Sequence, residues 1–392
     1  MQPPHAPARV TSCSVSTLYN ATMLFQTPPI TKREAEVIDE IETIRRQLNL
    51  PRLREWPGLP WRAIHARVAQ DPTDIFAEKA PHEKAGAAED EDPDSDGHDA
   101  WAAAPGYHAA LTFILQLADA PDFSYDEGIF RSLHYMIVGH DPEKGPGRWR
   151  RGSMYVLKYP SHEAIYKAPY AKFVRALMAE LIESLNARDD FPAYIRAAMA
   201  HLNLGTIHPF RDGNGRMSRA LHTLVLARGG VCAPPFASID EYLSVNSIEY
   251  DKVLQEVHGG AWQPERDTRP WIRFCLTAHF RQATTLLRKT REYDRLWEEL
   301  EREVTRRGLP EPAISALAEA AITGRLTSAE YRSAASVSAH IANRDLKRLV
   351  DADLLVPTSD QRGRCYLAAD PVKAIRTRTR DPDILAPDPF AT

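Results

Sequence analysis

The 392-residue sequence is poor in cysteine. Cys13, Cys232, Cys275 and Cys365 lie far apart and form no C-x-x-C pair. The simpler reading is a reducing, cytoplasmic compartment in which the thiols are small buried or inert side chains. No apolar run approaches the ~18 residues that a membrane helix needs, so no membrane partner is expected. The first 22 residues likewise lack the continuous apolar stretch of a signal peptide. Charge of one sign is missing too. Forty-nine Lys and Arg stand against 53 Asp and Glu, a net charge of −4. That argues against a globally basic nucleic-acid binder and leaves room only for a local basic patch. There is no G-x-x-x-x-G-K-[ST] P-loop. A zinc site is the weaker reading, because no second histidine stands at helical spacing with a helper carboxylate.

What is present is ordinary for a globular chain, 43% hydrophobic and 26% charged, with length enough for two or three domains. Residues 1–30 show no regular pattern and are expected to be disordered, and 31–104 form an N-terminal helical region. In it, Val37, Ile38, Ile41, Ile44 and Leu48 recur at helical spacing, and Thr31 with Glu34 suits a capping box. Residues 82–100 are acidic and broken by Gly and Pro, which predicts a solvated loop. Asp92, Asp94, Asp96 and Gly97 resemble the start of a calcium loop, but its twelfth position, which needs a bidentate Glu, is Ala103. From about 107 to 297 the pattern is amphipathic helices, interrupted once: 154–167 reads as two short strands around a turn. Leu309-Pro-Glu-Pro312 marks a boundary. Beyond it, 313–368 predicts three short helices and a hairpin, and 369–392, rich in Pro, Asp and Arg, a disordered tail.

The chemistry concentrates in residues 208–219, His-Pro-Phe-Arg-Asp-Gly-Asn-Gly-Arg-Met-Ser-Arg, a loop feeding a helix N-terminus. Gly213-Asn214-Gly215 frees the backbone to aim N–H groups at an anion, and the helix dipole adds partial positive charge there. Arg216 and Arg219, three apart, suit a phosphate clamp. Asp212 is a hard carboxylate able to hold Mg²⁺ against phosphate oxygens, and His208 is the group suited to take a proton near neutral pH. A Gly-Asn-Gly alone is usually a turn and a lone histidine usually structural. Base, metal ligand, anion nest and arginine pair within twelve residues point instead to phosphoryl or nucleotidyl chemistry.

This segment resembles the Fic (Fido) motif H-x-F-x-[D/E]-G-N-G-R-x-x-R at every defined position. The resemblance extends to Gly145-Pro-Gly-Arg-Trp-Arg150, to the hairpin and to the helix that ends at His208. It implies a mainly α fold: a Fic-type helical bundle over 105–300 with a β-hairpin flap, plus a small C-terminal winged-helix domain at 313–368, as in a bacterial subgroup. It also implies a protein adenylyltransferase that uses ATP and Mg²⁺. In that reading His208 deprotonates a Ser, Thr or Tyr hydroxyl, and Phe210 anchors the loop. Asp212 holds the metal. Gly213, Asn214 and Gly215 bind the α-phosphate, while Arg216 and Arg219 bind the β- and γ-phosphates. Tyr250, with Tyr242 and Asn246 at helical spacing, is a candidate for the adenine pocket, though core packing explains such tyrosines as well. The protein substrate would dock on the flap, 154–167. Gly215 favours AMP transfer, because Doc-type kinase relatives usually carry Lys there.

Two further expectations follow from the resemblance. No inhibitory S/T-x-x-x-E-[G/N] stretch stands upstream of His208, so Arg219 is expected to be free for the γ-phosphate. In the C-terminal module, Asn343, Arg344, Lys347 and Arg348, with Arg362 and Arg364 in the wing, suit either phosphate contact with DNA or a solvated face of a dimerisation module. The alternatives to the transferase are a DNA-binding regulator whose Fic pocket senses nucleotide, and a Fic protein that uses another nucleotide or phosphate donor.

Overall fold

The computed structural model describes residues 23–48, 96–158, 163–187, 189–231, 239–360, 363–382 and 384–391. Most of the expected acidic loop, the expected disorder before residue 23, Cys13, Cys232 and the turn of the 154–167 hairpin lie outside these residues. The fold is mainly helical. Its elements run α1 (Lys32–Gln47), α2 (Asp96–Ala118), α3 (Glu127–Val138), β1 (Tyr155–Lys158), β2 (Glu163–Lys167), α4 (Ala171–Asn186), α5 (Ala193–Ile207), α6 (Asn214–Arg228), α7 (Asp240–Val245), α8 (Ser247–His258) and α9 (Arg269–Arg306). The last part holds α10 (Ala313–Thr323), β3 (Leu326–Thr327), α11 (Ser328–Ala335), α12 (Ala339–Asp351), β4 (Leu355–Asp360), β5 (Gly363–Ala368) and α13 (Asp370–Thr379).

Helices α5 and α6 are the centre of the main core. Nearly every side chain of both is buried, including Ile195, Leu202, Leu204, Leu221 and Leu224, as expected of helices enclosed on all sides rather than along one stripe. Gly205 lets them approach closely, since a Cβ there would stand 3.3 Å from Ser218 Oγ. The capping box at Thr31 is formed, with the Thr31 N–H donating to Glu34 Oε2 at 2.8 Å. Glu34 is buried and also accepts from Arg273 Nε at 3.0 Å, which fastens α1 to α9.

Helix α9, 38 residues long, spans about 57 Å at 1.5 Å per residue and joins two cores. Trp271, Ile272, Cys275, Leu276 and Leu286 belong to the first; Leu296, Leu300 and Val304 belong to the second, with α10 to α13. In the second unit β3, β5 and β4 form a three-stranded antiparallel sheet in that order. Among the described residues no helix is long and apolar enough to cross a membrane.

Both chain ends depart from expectation. Residues 23–30 are packed rather than disordered: Phe25 is buried, exchanges backbone hydrogen bonds with the Asn203 amide at 2.9 and 3.2 Å, and meets Trp262 edge to face. The tail also is not disordered. It forms α13 and then runs back along α9, its carbonyls and carboxylates taken up by basic side chains. Arg295 binds Asp381 at 2.7 Å, Arg281 donates to the Ala386 carbonyl, Arg33 donates to the Pro389 carbonyl, and Arg273 lies over the Phe390 ring. One carboxylate, Asp381, and the backbone carbonyls of Ala386 and Pro389 supply the acceptors for these arginines. Helix α2 begins at Asp96, within the stretch expected to be loop.

Histidines are buried between the helices. His222 Nε2 is 2.8 Å from His279 Nε2, and His201 stands edge-on to His222. Burial pushes His222 down to about 3, and His134 and His258 to about 4. These rings stay neutral in the folded chain, whereas in the unfolded chain they protonate near pH 6.5. Unfolding therefore takes up protons between pH 6.5 and 4, and stability falls as pH drops through that window by up to about 1.4 kcal/mol per pH unit for each histidine. Urea denaturation at pH 7.5, 6.0 and 5.0 checks this. A midpoint that does not move would show that the rings are solvated.

Candidate active site

The loop from His208 to Gly213 joins the C-terminus of α5 to the N-terminus of α6, and left-handed residues flank it on both sides. His208 caps α5 with φ 52 and ψ 58, a conformation that costs a non-glycine residue of order 1 kcal/mol. Gly213 has φ 75, and a Cβ there would lie 2.7 Å from Val138 Cγ1, so only glycine fits. Asn214 laces the loop from inside: its Oδ1 accepts from the Phe210 N–H at 2.9 Å and its Nδ2 donates to the Phe210 carbonyl at 3.0 Å. Phe210 is fully buried between His134, stacked on it at 3.7 Å, and Trp149. The anchoring role expected of Phe210 thus has a geometric basis. Asn214 offers an anion only its backbone, because its side chain is already used.

His208 is buried, and its Nδ1 lies 3.1 Å from the Gly205 carbonyl. That contact places the ring proton on Nδ1 and leaves Nε2 as the acceptor. Burial, reinforced by the Arg150 charge, brings the ring down to about 4, so it is neutral at physiological pH. Asp212 is ionised: burial raises its carboxyl, but the nearby Arg216 and Lys144 more than reverse this and hold it below its ordinary value. Lys144 Nζ is 3.0 Å and Arg216 Nη2 3.4 Å from Asp212 Oδ2. By helix geometry the first-turn N–H groups of Asn214, Gly215 and Arg216 have no intrahelical acceptor, which makes the start of α6 an anion-attracting end. The loop and this helix start therefore bring together His208, Asp212, Gly213, Asn214, Gly215 and Arg216.

Arg219 corrects an expectation, because it is not free. It is buried, and its Nε lies 2.8 Å from Asp240 Oδ1; Asp240 Oδ2 accepts from the Tyr107 hydroxyl at 2.9 Å, and Tyr107 also faces the guanidinium. Tyr250 stands one side chain away from this group, its hydroxyl 3.2 Å from His201 Nε2 and its ring packed with Trp271 and Phe274. Tyr242 accepts from Arg281 at 3.0 Å, and Asn246 donates to the Tyr242 carbonyl.

Four residues with no assigned role in the motif complete the site. Arg150 donates Nε to the His208 carbonyl at 2.6 Å, Nη2 to the carbonyls of Pro169 (2.6 Å) and Ile207 (3.3 Å), and Nη1 to that of Gly152 (2.8 Å). His134 accepts from the Gly147 N–H and places Nε2 2.9 Å from the Asp212 carbonyl. Lys144 and Asp240 are the remaining two. Gly-Pro-Gly-Arg-Trp-Arg150 carried a signal for the first; nothing in the local sequence marks Asp240. The hairpin lies against α5, with the buried Tyr166 donating its hydroxyl to the Thr206 carbonyl at 2.6 Å.

The helical bundle with its small hairpin thus places a buried neutral histidine beside a cationic, anion-attracting helix start. Residues 124–226 match the model of the Fic/DOC family. The chain is similar to the protein adenylyltransferase Fic of Culex quinquefasciatus, 34% identical over 173 residues that cover 43% of this chain and 30% of that protein. The corresponding protein of Aedes aegypti is 33% identical over 173 residues, with the same coverage of 43% and 30%. The chain thus spans less than a third of the length of these curated relatives. A crystal structure of a Fic family protein from Desulfovibrio desulfuricans shares the fold, with a TM-score of 0.52 and 19% identity over 88% of this chain and 99% of that one.

Replacing Asp240 by Asn is expected to destabilise the chain by about 3–5 kcal/mol, because it leaves the Arg219 charge buried against a neutral amide. The double variant with Arg219→Leu should recover part of this loss. Guanidinium denaturation of Asp240→Asn, Arg219→Leu and the double variant measures the coupling; additive losses would mean that the pair does not interact.

Proposed function

We propose that the chain is a protein adenylyltransferase, moving AMP from ATP onto a Ser, Thr or Tyr hydroxyl of another protein. The observation that carries this reading is the neutral His208, its Nε2 left as acceptor by the Gly205 contact, on the same loop as an anion-attracting helix start. The relatives named protein adenylyltransferase Fic add weight over the part of their length that matches.

In the reaction, His208 Nε2 takes the proton of the target hydroxyl as its oxygen attacks the α-phosphorus. The new O–P bond forms as the bond to the β-phosphate oxygen breaks, pyrophosphate leaves, and the proton passes from His208 to solvent. The N–H groups at Gly213, Asn214 and Gly215 hold the α-phosphate oxygens, and Arg216 and Arg219 take the outer phosphates. Positioning and charge neutralisation of this kind supply most of what phosphate transfer needs. The residues also fit Mg²⁺, because an ionised carboxylate that is one-third exposed, Asp212, completes its shell with phosphate oxygens. When bound, the ion would neutralise charge on the phosphates. Tyr250 is assigned to the adenine side, acting through His201. The hairpin serves as the flap that receives the target by strand addition.

The order α10, β3, α11, α12, β4, β5, with the sheet order β3-β5-β4, supports a winged-helix assignment for 313–368. Its basic groups favour a structural or dimerisation role over DNA. Arg344 is drawn to the buried Asp345, Lys347 pairs with Asp351 at 2.9 Å, and Arg348 donates to the Gly308 carbonyl.

Incubation with α-labelled ATP should transfer label to protein, and His208→Ala should abolish the transfer while ATP binding persists. Label carried equally by γ-labelled ATP would mean phosphorylation, and binding without transfer by the wild type would make the pocket a sensor. On the acid side, kcat/KM should stay level from pH 8 to about 5 and fall with an apparent pKa near 4. A limb near 6.5 would show that the base is a solvated group instead of the buried His208.

A further inference from the structure

Beside the hairpin the surface changes character. Tyr155, Tyr170 and Phe173 are 41%, 60% and 43% exposed, although large rings are normally placed where they lose water. Exposed cations stand among them. Lys167 Nζ lies 6.0 Å from the Tyr155 ring centroid and 5.5 Å from that of Tyr170, and Lys172 Nζ lies 4.9 Å from that of Phe173. Arg175 is one turn from Lys172 on α4. No ion pair joins Lys167, Lys172 or Arg175 to a described carboxylate, whereas the cations of α1 and α9 are largely paired. A chain with net charge −4 thus keeps one face with three unneutralised cations and three exposed rings.

The position of this face suits delivery of a target. Strand β1 pairs only with β2 among the described residues, so its outer edge offers main-chain hydrogen bonds. The opposite edge of β2 is partly covered, the Lys167 N–H donating to the Gly260 carbonyl. Tyr155 and Lys167 are directly paired across the ladder, on the face opposite the buried Tyr166. Tyr170 follows Pro169, whose carbonyl shares the Arg150 guanidinium with the His208 carbonyl. The face is therefore tied through Arg150 to the backbone of the loop that carries His208.

We infer that this face docks an acidic segment of the protein substrate, an extended peptide whose carboxylates meet Lys167, Lys172 and Arg175 and whose side chains lie on the rings. The inference rests on the transferase reading and adds the chemical class of its target. An open strand edge beside the cations favours a peptide over nucleic acid, because a peptide can use the edge as well as the charges.

The test uses the full chain without nucleotide and two fluorescein-labelled 16-residue peptides. Each carries one Tyr and one Ser; one has six Glu, and the other has Lys at the same six places. Anisotropy is expected to show the Glu peptide binding at least tenfold more tightly, with affinity falling as salt is raised. Lys167→Glu with Lys172→Glu should weaken it at least tenfold, and Phe173→Ala several-fold, with thermal melting unchanged because all three side chains are exposed. Equal binding of the two peptides, no effect of the charge reversals, or tighter binding of a 16-nucleotide single-stranded DNA would overturn the inference. Label transfer from ATP is scored separately. Charge-dependent binding without transfer supports the docking face and counts against the transferase reading alone.

Discussion

A single buried guanidinium, Arg150, fastens three parts of the chain to one another at the site. Its nitrogens satisfy the carbonyls of Ile207 and His208 at the end of α5, of Gly152 before the hairpin and of Pro169 after it, while its own N–H donates to the Pro209 carbonyl at 2.9 Å. The last carbonyls of a helix lack intrahelical donors and carry partial negative charge. A cation there replaces the missing donors and makes the left-handed turn at His208 tolerable. Burial lowers Arg150 from its ordinary value, but an arginine remains charged. Among the described residues no carboxylate pairs with it and carbonyl dipoles compensate the charge, so one residue ties the backbone at His208 to the base of the hairpin.

The other half of the site is fixed by histidine and asparagine side chains that do no chemistry. His134 uses both ring nitrogens on backbone, one on Gly147 and one on Asp212, and its face on Phe210. A neutral ring suits this double task, since a protonated one would lose the bond from Gly147; burial, which brings it to about 4, keeps it neutral. Asn214 closes the same loop from below. The loop is therefore bound at His208, Phe210, Asp212 and Gly213, and its geometry is preorganised rather than assembled on contact with a ligand.

The motif was legible because its residues are consecutive: a loop that feeds a helix start must bring His208, Asp212 and Arg216 into one neighbourhood, whatever surrounds them. The supporting shell was not, apart from the Gly-Pro-Gly-Arg-Trp-Arg150 stretch. Arg150, His134, Lys144 and Asp240 reach the loop from other elements, and a side chain that donates to distant carbonyls leaves no periodic trace in sequence. The same holds at the chain ends. Residues 384–391 resemble a disordered tail because their partners, Arg281, Arg273 and Arg33, lie more than a hundred residues away. Helix α1 was readable from Thr31 and Glu34 because both ends of a capping box fall within one turn.

The charges of the site form two sets, one with a net charge of +1 and one neutral. Asp212 stands between Lys144 and Arg216, and Asp240 stands against Arg219 with Tyr107 donating to its other oxygen. An anion entering such a site does not simply add to bare cations. It exchanges partners, and each arginine that turns to a phosphate leaves a carboxylate behind. At Asp212 that carboxylate is one-third exposed, so water or a cation can take over. At Asp240 it is buried, and leaving it unpaired costs several kcal/mol. In the proposed reading, an outer phosphate either shares Arg219 with Asp240 or displaces the carboxylate towards the Tyr107 hydroxyl. Arg219 is thus held by an aspartate placed by the fold, although no glutamate motif of the kind the family resemblance would lead one to look for stands upstream of His208.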